Sequence, residues 1–244
     1  AYLRYKNNIE NKKSKIVIIG FVPETINRIQ SVWKHYLEFG NIYGFKPRFL
    51  IKKKGIKFLK NPISNINDFK KIKHIIKKIN NSDKFYLERF KKFQYRFPYT
   101  LSFLRNLNFN LKLFSIFAIN LVLQNKLDKK KKLFPIYFQN NIESANKLYN
   151  SIDSKLLFKN LIHKFINLAK KRGSKPVLIV FPQKFDIHLY KKNKSLYGKF
   201  FSELKNLKVI DLTNFLSKRN LNKIYLDEDH GGHLSTYGNK IVAK

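Results

Sequence analysis

KIVIIG, residues 15–20, and PVLIVFP, residues 176–182, are apolar runs without polar alternation. A strand with one wet face alternates in character, whereas one covered on both faces has no reason to, which is the signature of a parallel sheet. LKVIDL, residues 207–212, reads as a third strand. Helical patterns fall between and after these runs. Residues 154–172 carry Leu157, Leu161, Phe165 and Leu168 on one stripe, with Leu156 and Ile162 beside it and Gly173 placed to end the helix. Residues 197–204 and 235–243 read as two further helices. Strands alternating with helices predict a doubly wound α/β domain.

Between the first two strands, a helix is expected over residues 24–36, with Trp33 packing against Ile26, Ile29 and Tyr36; Gly40, Gly44 and Pro47 break the pattern after it. Residues 48–51 and 56–59 read as a short hairpin. Residues 63–148 form a helical, strongly basic insertion within one partial domain spanning 1–244. In it, LKLFSIFAINLVL (111–123) is too short to span a membrane and reads as a buried helix. The lysine run 129–132, with Pro135 just after it, reads as a solvated loop.

The chain carries 51 Lys and Arg against 15 Asp and Glu, a net charge of +36. Only eight of the basic residues are Arg, the side chain suited to bidentate phosphate and base contacts, so a specific nucleic-acid partner is not expected. Lys, Asn, Ile, Phe and Tyr all have AT-rich codons, so codon bias is the expected source of the composition, with selection for an acidic partner or an anionic surface the alternative; the charge should be spread over the surface rather than gathered in a groove. With no Cys there is no disulfide, thiolate nucleophile or Cys-based metal site. There is no Met, the opening AYLRYKNN has no apolar signal core, and both ends read as cut. Compartment and membrane anchoring stay open.

Chemistry concentrates in YLDEDHGGHLSTYGNKIVA, residues 225–243. Asp227, Asp229, His230 and His233 surround Gly231 and Gly232, which argue for a loop, and Ser235 is placed to cap the following helix. An imidazole held on a loop beside carboxylates can act as a general base. The same four side chains at close spacing also permit a metal site. Asp186 and Asp211 are expected to cap loops or strand ends, and His35, His74, His163 and His188 to lie at the surface or its boundary.

The segment 225–243 resembles the terminal block of the SGNH (GDSL-like) serine hydrolases, an Asp-x-x-His block followed by Gly five residues after the His and an apolar helix. Here Gly238 stands five residues after His233, with Leu234 and Ser235 between. KIVIIGFVPETINR with KPRF (46–49) and NP (61–62) resembles the middle of a bacterial branch of that family, and PVLIVFPQKFD with VIDLTNFL resembles the strands before its final block. The resemblance implies a three-layer, flavodoxin-like α/β/α sandwich, hydrolysis of an acyl or O-acetyl ester of a small molecule or glycan, His233 as base, Asp229 or Asp227 orienting it, and no metal or organic cofactor. The sequence departs from the family too. It has no Gly-Asp pair and no Gly-x-Ser-x-Gly, so the nucleophile block is expected upstream of Ala1; Phe21, Val22 and Pro23 stand where the family's Asn oxyanion donor would follow Gly20. Two other classes stay open: an acyltransferase of the same fold acting on polysaccharide, and a non-catalytic basic binding protein.

Overall fold

The computed structural model describes residues 1–7, 14–37, 41–52, 55–123, 129–226 and 232–243. They divide into two compact units, Ala1–Thr25 with Tyr137–Lys244, and Ile26–Ile136. In chain order, α1 (Tyr2–Asn7) precedes β1 (Ile16–Phe21), and 3-10 turns follow at Pro23–Gln30 and Lys34–Tyr36. β2 (Arg48–Lys52) and β3 (Gly55–Leu59) pair antiparallel, with Phe49 opposite Phe58. A 3-10 turn at Ile66–Lys71 opens α2 (Ile72–Asn80), and a π turn at Tyr86–Phe90 opens α3 (Lys91–Phe93). α4 (Tyr99–Leu104), α5 (Leu107–Val122), α6 (Lys129–Leu148) and α7 (Ile152–Lys171) come next. β4 (Lys175–Val180), α8 (Lys184–Lys191), α9 (Tyr197–Ser202), β5 (Lys208–Asp211), α10 (Thr213–Ser217), α11 (Leu221–Ile224) and α12 (Thr236–Val242) complete the chain.

The first unit is mixed α/β. Its three strands form a parallel sheet in the order β1-β4-β5, with Ile16 beside Lys175 and Val180 beside Asp211. The three runs expected to be strands are strands of one sheet. β4 is buried on both faces at Val177, Leu178 and Val180. β1 departs from the expectation of two covered faces: Phe21 is buried, its ring 4.6 Å from Phe158 and 5.7 Å from Phe201, while Ile16 and Ile18 on the opposite face are 54% and 57% exposed. α7 buries Leu157, Phe158, Ile162, Phe165, Ile166 and Ala169. The stripe is turned slightly from the one read in the sequence, leaving Leu161 and Leu168 half-buried, because the large ring of Phe158 packs between Phe21 and Phe200. Gly173 follows the helix at φ +73°, the left-handed conformation that ends helices. Ile187, Leu216, Ile224 and Tyr225 form a second cluster joining α8, α10 and α11.

In the second unit Trp33 is buried as expected, stacked on Phe45 at 5.1 Å and edge-on to Tyr36 at 4.8 Å. The helix expected over 24–36 is two 3-10 pieces instead. The buried carboxylate of Asp83 explains the break: it accepts the N–H groups of Val32 (2.6 Å) and Trp33 (3.0 Å), the Ser31 hydroxyl (3.2 Å) and, on its other oxygen, the Phe85 N–H (2.9 Å). Donors that a continuous helix would use are taken by a tertiary acceptor, and Trp33 is left extended at φ −112°, ψ 113°. The lysine run 129–132 lies in α6 rather than in a loop, and Pro135 lies inside that helix, forgoing one backbone bond. α5 is helical as read but not buried: Leu111, Phe114, Ile119, Leu121 and Val122 are all exposed.

Candidate active site

Open α/β sheets bind ligands beyond the carboxyl ends of their strands. In the first unit each strand delivers a carboxylate there. β1 leads to Glu24, β4 leads through Pro182 and Gln183 to Asp186, and β5 ends at Asp211. Glu24 and Asp186 are buried and Asp211 is exposed. Asp186 accepts the Gln183 N–H at 2.8 Å and closes the N-terminus of α8. Burial pushes its carboxyl from the ordinary 3.8 up to about 7; the Gln183 N–H opposes this and the charges of Glu24 and Asp211 add to it.

Three phenols line the same end of the sheet. Tyr149 donates to the Pro23 carbonyl (2.9 Å) and Tyr225 to the Pro182 carbonyl (2.7 Å). Thr213 donates its hydroxyl proton to Asp211 Oδ1 at 2.5 Å, so the 2.8 Å contact between Tyr197 and Thr213 has the phenol as donor. The result is a directed chain, Tyr197 to Thr213 to Asp211, running from the core to the surface. Burial raises all three phenols well above their usual range, with the negative charge of Asp186 adding in each case. They remain protonated donors at neutral pH. Beyond Asp211, a shallow cleft is lined by Asn214, Phe215, Lys218 and Arg219, the guanidinium of Arg219 lying 5.0 Å over the Phe215 ring.

His233 enters from the last loop. Tyr225 pairs with Leu234 in an antiparallel bridge, and the Leu226 N–H donates to the His233 carbonyl at 2.9 Å. Gly232 has φ +71°, and a Cβ on it would stand 3.3 Å from Cβ of Gln183, so this turn lies against the loop that follows β4. The imidazole of His233 is exposed there. Ser235 is the N-cap of α12, accepting the Gly238 N–H at 3.0 Å and donating to the Lys223 carbonyl at 2.6 Å. Gly238 packs against the end of α11, where an added Cβ would come within 2.3 Å of the Ile224 carbonyl oxygen. The glycine at 238 therefore has a steric cause: only glycine lets the start of α12 approach that carbonyl.

Asp227 and Asp229, the two acids read as partners of His233, lie outside the described residues, as does His230. The metal reading of that cluster falls largely on the same residues; among the described residues no group of three or more His, Cys, Asp or Glu could hold a metal ion. Asp186 and Asp211 are caps, as expected. His74, His163 and His188 are exposed, and His35 is half-buried against Trp33 and Phe90, where burial lowers its pKa. Sequence reasoning did not find Glu24, Tyr149, Tyr197, Thr213 and Tyr225. A usable signal was present: a carboxylate stands at or just beyond the end of each apolar run.

No protein-family model, curated protein or solved structure matches the chain. What the site can do rests on its own geometry: an exposed imidazole on a turn seated against the loop after β4, at the sheet end that also carries the buried Glu24 and Asp186, the exposed Asp211 and three buried phenol donors.

Proposed function

We propose that the first unit belongs to an SGNH-type ester hydrolase, with His233 as general base, and that its sheet is part of a three-layer α/β/α sandwich. The observation that carries the reading is the seating of the Gly232–His233 turn against the loop after β4. A base at that position can take a proton from a serine hydroxyl presented at the end of a neighbouring strand, and the serine then attacks an ester carbonyl. The sheet order supports it, since β1 has a free edge among the described residues, on which a further nucleophile-bearing strand could pair. So does the steric need for Gly238. The sequence holds no recognisable serine block, so the nucleophile is assigned to a segment outside these 244 residues. Asp229 or Asp227 would orient the imidazole. The substrate is an ester of a small molecule or glycan, and the mechanism calls on no cofactor.

The test uses short-chain aryl esters and a fluorophosphonate probe, which labels activated serines. Both are applied to the 244-residue chain, to the longest chain its gene encodes, and to that longer chain carrying His233→Ala. The expected result is activity and labelling in the longer chain alone, at a serine outside the 244 residues. Loss of either nucleophile or base removes most of the rate, so His233→Ala should fall by ~10³-fold or more. Hydrolysis or labelling by the 244-residue chain would overturn the assignment of the serine. Full activity of His233→Ala would overturn the base.

A further inference from the structure

α5 is turned inside out relative to a soluble helix. Its buried residues are polar, Asn110 at 4% and Asn120 at 1% exposure, while Phe114, Leu121 and Val122 are 62%, 71% and 82% exposed. At 100° per residue, Leu121, Phe114, Leu111 and Val122 fall within roughly 100° of the helix circumference, as wide as the stripe with which a helix usually faces a core, and the exposed Ser115 and Asn108 border it before Ile119. The segment leading into it adds Tyr95, Phe97 and Tyr99, all more than half exposed. Soluble surfaces rarely tolerate an apolar patch of this extent without a partner.

The charge around the patch says which partner. No acidic residue occurs from Lys91 to Leu123, while Lys91, Lys92, Arg96, Arg105 and Lys112 are all exposed. The backbone of two of them is tied to the helices: Asn106 Nδ2 donates to the Lys92 carbonyl (2.9 Å), and Ser102 both donates to the Arg96 carbonyl (2.8 Å) and accepts its N–H (3.0 Å). An exposed apolar stripe, aromatic rings beside it and a cationic rim without acids match the layers of an anionic bilayer surface: acyl chains, interface and headgroups. The geometry points to α4–α5 as a site that docks on anionic lipid surfaces, inserting Phe114, Leu121 and Val122. α5 has 16 residues, about 24 Å, short of the ~30 Å hydrocarbon core. No helix among the described residues is long and apolar enough to cross a membrane. The helix therefore lies in the interface.

The experiment is co-sedimentation of the 244-residue chain with vesicles of phosphatidylcholine alone, or mixed equally with phosphatidylglycerol. Binding is expected to the mixed vesicles. It should weaken by about five-fold for each cation removed in Lys91→Gln/Lys92→Gln/Arg96→Gln, and by at least about ten-fold in Phe114→Ser/Leu121→Ser/Val122→Ser. Lys159→Gln/Lys164→Gln on α7 should have far less effect. Equal binding by the apolar triple variant and the parent chain would overturn the proposal, leaving only the attraction of any polycation. So would a dimer in sedimentation velocity that the apolar triple dissociates without any vesicle binding, which would make the face a contact between copies. Should the triple variant lose its circular dichroism spectrum, Phe114→Trp decides alone: a blue shift of its emission on adding mixed vesicles supports insertion, and no shift overturns it.

Discussion

Gly238 and Asp186 show how differently single residues reveal themselves. The spacing of Gly238 from His233 is visible in the sequence; what the sequence hides is why 238 is glycine, the Ile224 carbonyl 2.3 Å from where a Cβ would stand. Gly238→Ala must push backbone against backbone, which costs about 2–4 kcal/mol. Gly232→Ala, strained by its positive φ, should cost ~1 kcal/mol. Urea denaturation of the two variants checks the order. Asp186 looks in the sequence like any helix cap, because nothing local says that β1, β4 and β5 bring Glu24 and Asp211 toward it. Its carboxyl keeps a proton up to about pH 7 when folded but only to 3.8 at the ordinary carboxylate value. Between those values the folded state binds more protons, so this group makes stability fall as pH rises, and the loss is complete above about 7. Asp186→Asn removes that slope and should gain on the parent chain, by up to a few kcal/mol on the alkaline side, at ~1.4 kcal/mol per pKa unit. Parallel stability–pH curves for the two proteins would contradict the burial argument. His233 was legible because glycines and a cap flank it; the acid that would orient it was not settled by spacing, since loops do not follow helical periodicity.

At the scale of elements, the strands were the most legible parts, because an apolar run of six bounded by turns has few other fates. The misread elements were those decided by distant partners. Residues 24–36 have a helical pattern, but Asp83, fifty positions on, collects their N–H groups. Asp83→Ala should therefore strand several buried donors and cost ~3 kcal/mol or more. Trp33, the single tryptophan, reports it directly, with an earlier thermal loss of its buried fluorescence. α5 was recognisable as a helix from composition, but hydropathy cannot tell a helix hidden in a core from one facing outward with its asparagines turned in. The lysine run extends α6 because lysine is itself a good helix former and a single proline removes only one bond.

For the whole molecule the dominant quantity is charge. Exposed lysines occur on α2, α7 and α12 and just after α10 alike, at Lys77, Lys159, Lys240 and Lys218. At +36 the folded chain repels itself, and salt should relieve this. The midpoint of thermal unfolding is expected to rise by several degrees between low salt and ~0.5 M sodium chloride; a flat or falling midpoint would show that ion pairs, not repulsion, dominate. The open side of β1 has a different consequence, readable in the time domain. The carbonyls of Lys15 and Phe21 accept the N–H groups of Lys175 and of Phe181, just past β4, and in a parallel ladder each residue aims its N–H and C=O at the same neighbour. Val17, Ile19 and Phe21 thus lock their amides into the sheet, while those of Ile16, Ile18 and Gly20 point outward. Deuterium uptake along this one strand should alternate, slow and fast at every second residue. Any strand that comes to lie beside β1 would slow the fast set and leave the slow set as it was, so the exchange pattern of six consecutive amides becomes a gauge of whether the sheet has been extended.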